Sequence, residues 1–188
     1  MNRKKTVFLA AAALVLLMAA AAILYARLEP GQEARQLAAS TEETTAKVTA
    51  PDFTVYDLEG NAVKLSDFFG KPIVLNFWAS WCGPCKSELP DFQKKYEELG
   101  ENVQFLMINV TDGVQETLES ASSFLSSKGY TLPVYYDTTQ TAGRIYRVTA
   151  LPCTYFIDPE GNAVASAKGA IDGDTLQRGI DFIYTDMQ

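Results

Sequence analysis

The feature that most constrains this chain is a cysteine pair placed where a strand gives way to a helix. Residues 73–78 form a short, mostly apolar run of strand-forming residues, which is typical of a buried parallel strand. Gly83 and Pro84 break this pattern between Cys82 and Cys85, and apolar residues then recur at helical spacing. Cys82 is therefore predicted at the mouth of a helix and Cys85 in its first turn.

This placement favours dithiol–disulfide chemistry. A cysteine reacts as its thiolate, which is the minor form of an ordinary thiol at neutral pH. The unpaired N–H groups and partial positive charge at a helix N-terminus stabilise an anion, here the thiolate of Cys82. Cys85 lies one turn further on, within reach to resolve a mixed disulfide. We therefore predict that Cys82 attacks and that Cys85 resolves.

The sequence around the pair resembles a known family. WCGPCK at residues 81–86 is similar to the active site of thioredoxin, and LNFWASWCGPCKSELP at residues 75–90 resembles the membrane-anchored TlpA/ResA branch of that family. The resemblance extends over residues 51–188. It implies an α/β thioredoxin fold with an N-terminal β-hairpin and a central helix–strand insertion at residues 111–137. Half of a zinc site is the alternative, but zinc takes four ligands and the chain has one further cysteine and no histidine.

The resemblance also implies a substrate-binding surface around the cysteines. Leu151 and Pro152 occupy the place where thioredoxin relatives carry a cis-proline facing the pair, although most X–Pro bonds are trans. A cis bond there would present the backbone of Leu151 to a bound substrate strand. Trp81 would offer an apolar contact surface, and Gly83 and Pro84 complete the expected substrate-binding residues.

Glu88 is the candidate proton carrier. It follows Cys85 by three residues, so one helical turn brings the two side chains to the same face. The resemblance implies a partly buried acid that moves protons and tunes the thiol pKa. The alternative is an exposed acid, favourable in a first helical turn. Asn76 stands where thioredoxin has a buried aspartate, which makes Glu88 the better candidate.

Cys153 departs from the family pattern, in which threonine or another small residue usually follows the cis-proline. One interpretation is a buried small apolar side chain, as most free cysteines are. The other is a third thiol close to Cys82 and Cys85, able to trap a non-productive disulfide. An odd cysteine in an oxidising compartment needs an explanation, and both interpretations stay open.

The N-terminus is predicted to be a targeting element. Three basic residues precede an uncharged run at residues 6–26, which is long enough to cross a bilayer as a helix with its N-terminus inside. We predict a cytoplasmic stub and transmembrane signal-anchor over residues 1–27, a flexible linker over residues 28–50 and the thioredoxin-like domain over residues 51–188. A cleaved signal peptide is the alternative. Either way the domain is expected outside the cytoplasm, where disulfides persist.

Periodicity and turn residues predict the remaining elements. Asp112 with Gln115 resembles a capping pair at the start of the second helix. In chain order we predict a β-hairpin (residues 53–65), a strand (73–78), a helix from Pro84 to Gly100, a strand (103–110), a helix (114–129), a strand (133–137), a short helix (139–148), a β-hairpin (154–168) and a last helix capped by Asp174.

Composition argues against two further classes of function. The formal charge of −7 argues against nucleic-acid binding, and the absence of histidine removes imidazole bases and imidazole metal or haem ligands. We therefore expect no metal and no cofactor beyond the redox-active Cys82–Cys85 disulfide.

These features predict an extracytoplasmic thiol–disulfide oxidoreductase that acts as a monomer, and the resemblance implies that it acts as a reductase. The resemblance implies a membrane electron donor of the CcdA/DsbD type and substrates such as apocytochromes c or other exported proteins with disulfides. The alternatives are a thiol oxidase or isomerase, a redox-inert binding adaptor and a peroxiredoxin-like peroxidase. A peroxidase would need threonine three residues before Cys82, where this chain has Ala79.

Overall fold

A seven-stranded mixed sheet organises residues 48–184, the part of the chain that the computed structural model describes. Its elements are β1 (Thr54–Tyr56), β2 (Ala62–Lys64), a 3-10 helix (Leu65–Phe68), β3 (Ile73–Trp78), α1 (Gly83–Leu99), β4 (Gln104–Asn109), α2 (Leu118–Lys128), β5 (Val134–Tyr136), α3 (Thr141–Ile145), β6 (Cys153–Ile157), β7 (Ala163–Lys168) and α4 (Gly173–Asp181).

The strands lie in the order β2-β1-β5-β4-β3-β6-β7. The three central strands β5, β4 and β3 are parallel, whereas β6 is antiparallel to β3 and β1 is antiparallel to β5. Helices connect the parallel strands, as such crossovers require. The predicted α/β architecture, with its N-terminal hairpin and its helix–strand insertion between β4 and α3, is confirmed.

Strand β3, which leads to the cysteine pair, is held in place by burial on both of its faces. All six of its residues are buried, and β4 and β6 flank it on either side. Val74 and Trp78 pack into the apolar cluster beneath α1, while Leu75 and Phe77 pack into the cluster on the opposite face of the sheet. This two-sided burial is why the strand appears in the sequence as a nearly continuous apolar run.

The first described residues, 48–50, hydrogen-bond to the hairpin of β6 and β7. Val48 accepts a hydrogen bond from the Ala163 N–H at 2.9 Å, and the Ala50 N–H donates to the Gly161 carbonyl at 2.9 Å. Ala50 is also buried. Residues 48–50, the end of the predicted linker, thus pair with the β6–β7 hairpin. The rest of that linker and the predicted anchor at residues 1–27 lie outside the described residues.

No helix within residues 48–184 combines the length and the apolar character needed to cross a bilayer.

The second helix starts later than the sequence predicts. Its N-cap is Thr117, whose hydroxyl accepts from the Ser120 N–H at 3.1 Å, so the prediction that Asp112 and Gln115 cap it is wrong. Asp112 instead folds a loop, because its Oδ1 accepts the N–H groups of three following residues at 2.8–2.9 Å. Asp side chains compete with helix formation in this way. Val114 therefore lies exposed in the loop.

The last helix also has a different cap. Asp172, not Asp174, is its N-cap, and the Asp172 carboxylate accepts from the Thr175 N–H at 2.8 Å. Asp174 lies in the first turn, where an acid still interacts favourably with the helix dipole. The predicted end of α2 at Gly129 is confirmed, since Gly129 adopts a left-handed conformation with φ of 67°.

Gly179 permits the closest approach of α4 to the sheet. A Cβ atom at this position would overlap the ring of Phe156, which is completely buried in β6. We expect Gly179→Ala to lower the free energy of unfolding by about 1–3 kcal/mol or more, the usual result of overpacking a core. Chemical denaturation monitored by circular dichroism measures this change.

Gly143→Ala is the matched control for this prediction. Gly143 is also helical, but a Cβ there would lie 3.5 Å from an Asp137 oxygen, which is an ordinary contact. The control should be neutral or slightly stabilising because alanine is the better helix former. Equal effects of the two substitutions would show that α4 does not pack on Phe156 as described.

Candidate active site

The cysteine pair lies where β3 meets α1. The chain leaves β3 at Trp78 and reaches Cys82, which is the N-cap residue of α1, and Cys82 and Cys85 form a disulfide. The Cys82 sulfur accepts a hydrogen bond from the Cys85 N–H at 3.2 Å. A sulfur atom thus takes the place of the oxygen that usually caps a helix. This arrangement would stabilise a negative charge on Cys82 Sγ.

The two sulfurs differ in accessibility. Cys85 is completely buried, while Cys82 retains 4% of its surface. Trp81, Gly83 and Pro84 are exposed beside Cys82, and Trp81 keeps 48% of its surface accessible. The exposed surface at the mouth of α1 is therefore formed by the residues that the sequence suggests for substrate contacts.

Glu88 is a buried acid. Only 2% of its surface is accessible, and both oxygens are bonded: Oε1 accepts from Asn76 Nδ2 at 2.9 Å and Oε2 from the Ile171 N–H at 3.0 Å. Burial raises the pKa of Glu88 from an ordinary 4.5 to about 7, although the two hydrogen bonds oppose that shift. The alternative of an exposed first-turn acid is therefore excluded.

Asn76 connects this acid to the neighbouring strand. Its Nδ2 also donates to Thr154 Oγ1 at 3.0 Å, and all three side chains are buried. Within residues 48–184 the Asn76 Oδ1 atom has no hydrogen-bond partner. Rotation of the amide would present this acceptor to Glu88, so Asn76 can serve both the ionised and the protonated acid.

Pro152 precedes β6 at the end of the sheet where β3 leads to the cysteines. The Leu151–Pro152 bond is cis, as the family resemblance implies. In the antiparallel pairing of β3 with β6, Phe77 is opposite Cys153, so the residues preceding β6 lie beside the end of β3 that leads to Cys82. Pro152 is buried and Leu151 is half-buried.

Cys153 lies on the other face of the sheet. It packs with Phe77 and Tyr146, in a cluster separate from the one that contains the cysteine pair. Only 2% of the surface of this residue is accessible, and its thiol lies 3.5 Å from the Ala150 carbonyl oxygen. Burial is the main cause that raises the pKa of this thiol above its ordinary value. These features favour the interpretation of Cys153 as a buried apolar side chain.

Sequence reasoning missed Glu116. This acid is completely buried and accepts hydrogen bonds from the Ser80 N–H, the Ser80 hydroxyl and Asn109 Nδ2. In the sequence it stands near the start of the predicted second helix and cannot be distinguished there from a solvated acid. Its partner Ser80 precedes Cys82 by only two residues.

Residues 48–184 contain no group of three or more histidine, cysteine, aspartate or glutamate side chains placed to hold a metal ion.

Comparison with known proteins agrees with this geometry. Residues 46–166 match the model of the AhpC/TSA family. The thiol-disulfide oxidoreductase ResA of Bacillus subtilis (strain 168) is 34% identical over 134 residues, covering 71% of this chain and 73% of the relative.

Solved structures show the same fold. A protein described as a thiol:disulfide interchange protein DsbE, from Chlorobium tepidum, superposes with a TM-score of 0.64 at 28% identity and covers 73% of this chain and 96% of its own. StoA from Bacillus subtilis superposes with a TM-score of 0.60 at 25% identity, covering 71% of this chain and 98% of its own.

The buried Glu88 makes stability depend on pH. Its folded pKa of about 7 lies above the ordinary 4.5, so the folded state holds a proton that the unfolded state has lost between these values. The contribution of Glu88 to the stability of the oxidised protein is therefore fully present below pH 4.5 and is lost as the pH rises through 7, by roughly 3 kcal/mol in all. Urea unfolding of the oxidised protein at a series of pH values measures this decline.

Glu88→Gln is the control, because its amide resembles the protonated acid and does not ionise. In this variant the decline between pH 4.5 and 7 should disappear. A decline of the same size in both proteins would show that another group causes it.

Proposed function

The chain belongs to the AhpC/TSA family and, within it, to the ResA-like thiol-disulfide oxidoreductases, and on that premise we propose that it reduces disulfides in exported proteins. The observation that carries the proposal is the Cys82–Cys85 disulfide at the start of α1, with Glu88 buried one turn further along the same helix.

In the proposed reaction the reduced enzyme attacks with Cys82. Its thiolate attacks one sulfur of the substrate disulfide, forming a mixed disulfide and releasing the other substrate sulfur as a thiolate that takes up a proton. The exposed side of Cys82 and the N–H of Cys85 support this assignment, since the first admits a substrate sulfur and the second stabilises the attacking anion.

Cys85 then completes the reaction. It loses its proton and attacks Cys82 Sγ, which re-forms the enzyme disulfide and releases the second substrate thiol. Two electrons pass from the enzyme dithiol to the substrate. Because Cys85 is buried, it can reach only the sulfur of Cys82, so its role is limited to resolution.

Glu88 is proposed to accept the proton that Cys85 loses. It lies one helical turn from Cys85, and a pKa of about 7 allows it both to take up and to release a proton near neutral pH. Asn76 supports both states of the acid through its amide. The hydrogen bonds from Asn76 and Ile171 fix the position of the carboxyl group.

Substrate recognition is proposed to use the surface around Cys82. The backbone at Leu151, next to the cis bond to Pro152, offers hydrogen-bonding groups to an extended substrate segment. Trp81 supplies an exposed apolar surface beside the sulfur, and Gly83 leaves open space at the helix start. Such a site suits a flexible disulfide-containing segment of many sequences.

The direction and location of the reaction are parts of the same proposal. The Gly-Pro dipeptide between the cysteines resembles that of thioredoxin, which favours reduction. The predicted signal-anchor at residues 1–27 would hold the domain on the extracytoplasmic side of the cell membrane. Electrons would then come from a membrane thiol donor of the CcdA/DsbD type, and apocytochromes c before haem attachment fit as substrates.

The alternative functions have less support. A peroxiredoxin-like peroxidase would use a threonine hydroxyl three residues before its cysteine, but Ala79 is apolar and completely buried. A redox-inert adaptor would not need the Cys82–Cys85 disulfide. A thiol oxidase or isomerase uses the same residues in the opposite direction, so the reduction potential distinguishes it from a reductase.

The reduction potential tests the direction. We expect the Cys82–Cys85 couple of the full chain in detergent to equilibrate with thiol buffers near about −270 mV, as thioredoxin does, because a reductase must favour its own disulfide. Acid quenching, alkylation and mass spectrometry report the redox state of each cysteine. A potential near about −120 mV, the range of a strong oxidant, would contradict the proposal.

Variants of the cysteines test their roles in an insulin-reduction assay. Cys82→Ser should abolish insulin reduction, and Cys85→Ser should accumulate a mixed disulfide on Cys82. Cys153→Ser is the control and should keep full activity. Persistence of insulin reduction in Cys82→Ser would assign the attacking thiol to another residue.

A further inference from the structure

Glu116 forms a buried contact between the inserted loop and the segment that carries Cys82. It lies between β4 and α2 and has no accessible surface. Its Oε1 accepts from the Ser80 N–H at 2.8 Å and from Asn109 Nδ2 at 2.6 Å, and its Oε2 accepts from the Ser80 hydroxyl at 2.8 Å. The group accepts three hydrogen bonds, as an ionised carboxylate does.

Its partner Ser80 lies inside the turn that presents the attacking cysteine. The turn begins where β3 ends and is closed by a hydrogen bond from the Cys82 N–H to the Ala79 carbonyl at 3.2 Å. Glu116 binds both the main chain and the side chain of Ser80. It therefore fixes the position of this turn, and with it the position of Cys82 at the helix start.

The acid is itself held in place from two sides. Thr111 Oγ1 donates to Asn109 Oδ1 at 2.7 Å, which orients the amide that donates to Glu116. The Asp112 carboxylate accepts the N–H groups of the following residues, including that of Glu116 at 2.9 Å, and the Gly113 N–H donates to the Glu116 carbonyl at 2.9 Å. A loop closed in this way is rigid enough to position another segment.

We propose that Glu116 is a positioning residue for the redox pair. By fixing Ser80 it keeps Cys82 Sγ in line with the Cys85 N–H, which donates to this sulfur at 3.2 Å and would stabilise a negative charge on it in the reduced protein. This inference deepens the proposed function in that it takes Cys82 as the attacking thiol. It assigns to the inserted loop a part in the thiol–disulfide equilibrium itself.

Two simpler roles predict different results. If Glu116 acted only through its charge, it would oppose a negative sulfur nearby, and removing the charge would favour the dithiol. If it only braced the fold, its loss would lower the melting temperature and leave the equilibrium of the cysteines unchanged. A positioning role predicts instead that loosening the turn favours the disulfide, because the thiolate loses its hydrogen bond.

Three variants of the full chain separate these roles. Glu116→Gln removes the charge but can keep all three contacts, since its Oε1 accepts from Ser80 and Asn109 and the Ser80 hydroxyl can accept from its Nε2. Glu116→Ala removes the charge and the contacts. Ser80→Ala keeps the charge and loses only the hydroxyl contact. Gln115→Ala, an exposed neighbour in the same loop, is the control.

The readout is the thiol–disulfide equilibrium with a dithiol buffer at pH about 9, where an ordinary thiol is mostly ionised. We expect the equilibrium constant for forming the Cys82–Cys85 disulfide to be about threefold larger in Glu116→Ala than in Glu116→Gln. This ratio corresponds to a difference of about 14 mV in the potential of a two-electron couple. Ser80→Ala should shift in the same direction relative to the unmodified chain, and Gln115→Ala should not shift.

The proposal is wrong if Glu116→Ala and Glu116→Gln agree and Ser80→Ala matches the unmodified chain, whatever their melting temperatures. If Glu116→Ala does not fold, Ser80→Ala alone decides, because it leaves the charge in place. The measurement uses no protein substrate. Failure of this proposal is therefore distinguishable from failure to reduce exported proteins, which the insulin assay detects.

Discussion

The active site depends on one hydrogen bond, the one that the Cys85 N–H donates to Cys82 Sγ. A helix must satisfy its first N–H groups, and here a sulfur atom serves as the cap. The cap can present a sulfur atom at a defined position only because β3 fixes where the helix starts. Burial of β3 on both faces, between β4 and β6, fixes the end of the strand, and the turn at Ser80 carries the chain from that end to Cys82.

Burial around the site acts on charge in two opposite ways. It raises the pKa of Glu88 to about 7, because ionisation there forgoes the solvation by water that an exposed carboxylate has. The same exclusion of water strengthens each hydrogen bond that the site does make. Asn76 is an example. Its amide nitrogen donates to two acceptors, Glu88 and Thr154, while its amide oxygen has no hydrogen-bond partner among residues 48–184. An unused acceptor beside an acid is an arrangement suited to a group that changes its protonation state.

Much of this fold could be predicted from the sequence, because its strongest signals are local. The apolar run of β3, the CGPC pattern and the left-handed Gly129 each depend on a few neighbouring residues. Glu116 could not be predicted, since its burial depends on Ser80, 36 residues away in the chain. The caps at Thr117 and Asp172 were missed for a related reason: several polar residues stood near each helix start, and tertiary packing chose among them.

The position of Cys153 follows from the pleat of β6. Side chains alternate between the faces of a strand, and Thr154 points toward the site, where its hydroxyl accepts from Asn76. Cys153 therefore points to the opposite face, among Phe77 and Tyr146, although it follows Pro152 directly. Moving it to the site face would require a shift of β6 by one residue, which would also exchange the faces on which Phe156 and Ile157 are packed. The pairing of β6 with β3 thus places this thiol on the face of the sheet opposite the redox pair, although it follows Pro152 directly in the sequence.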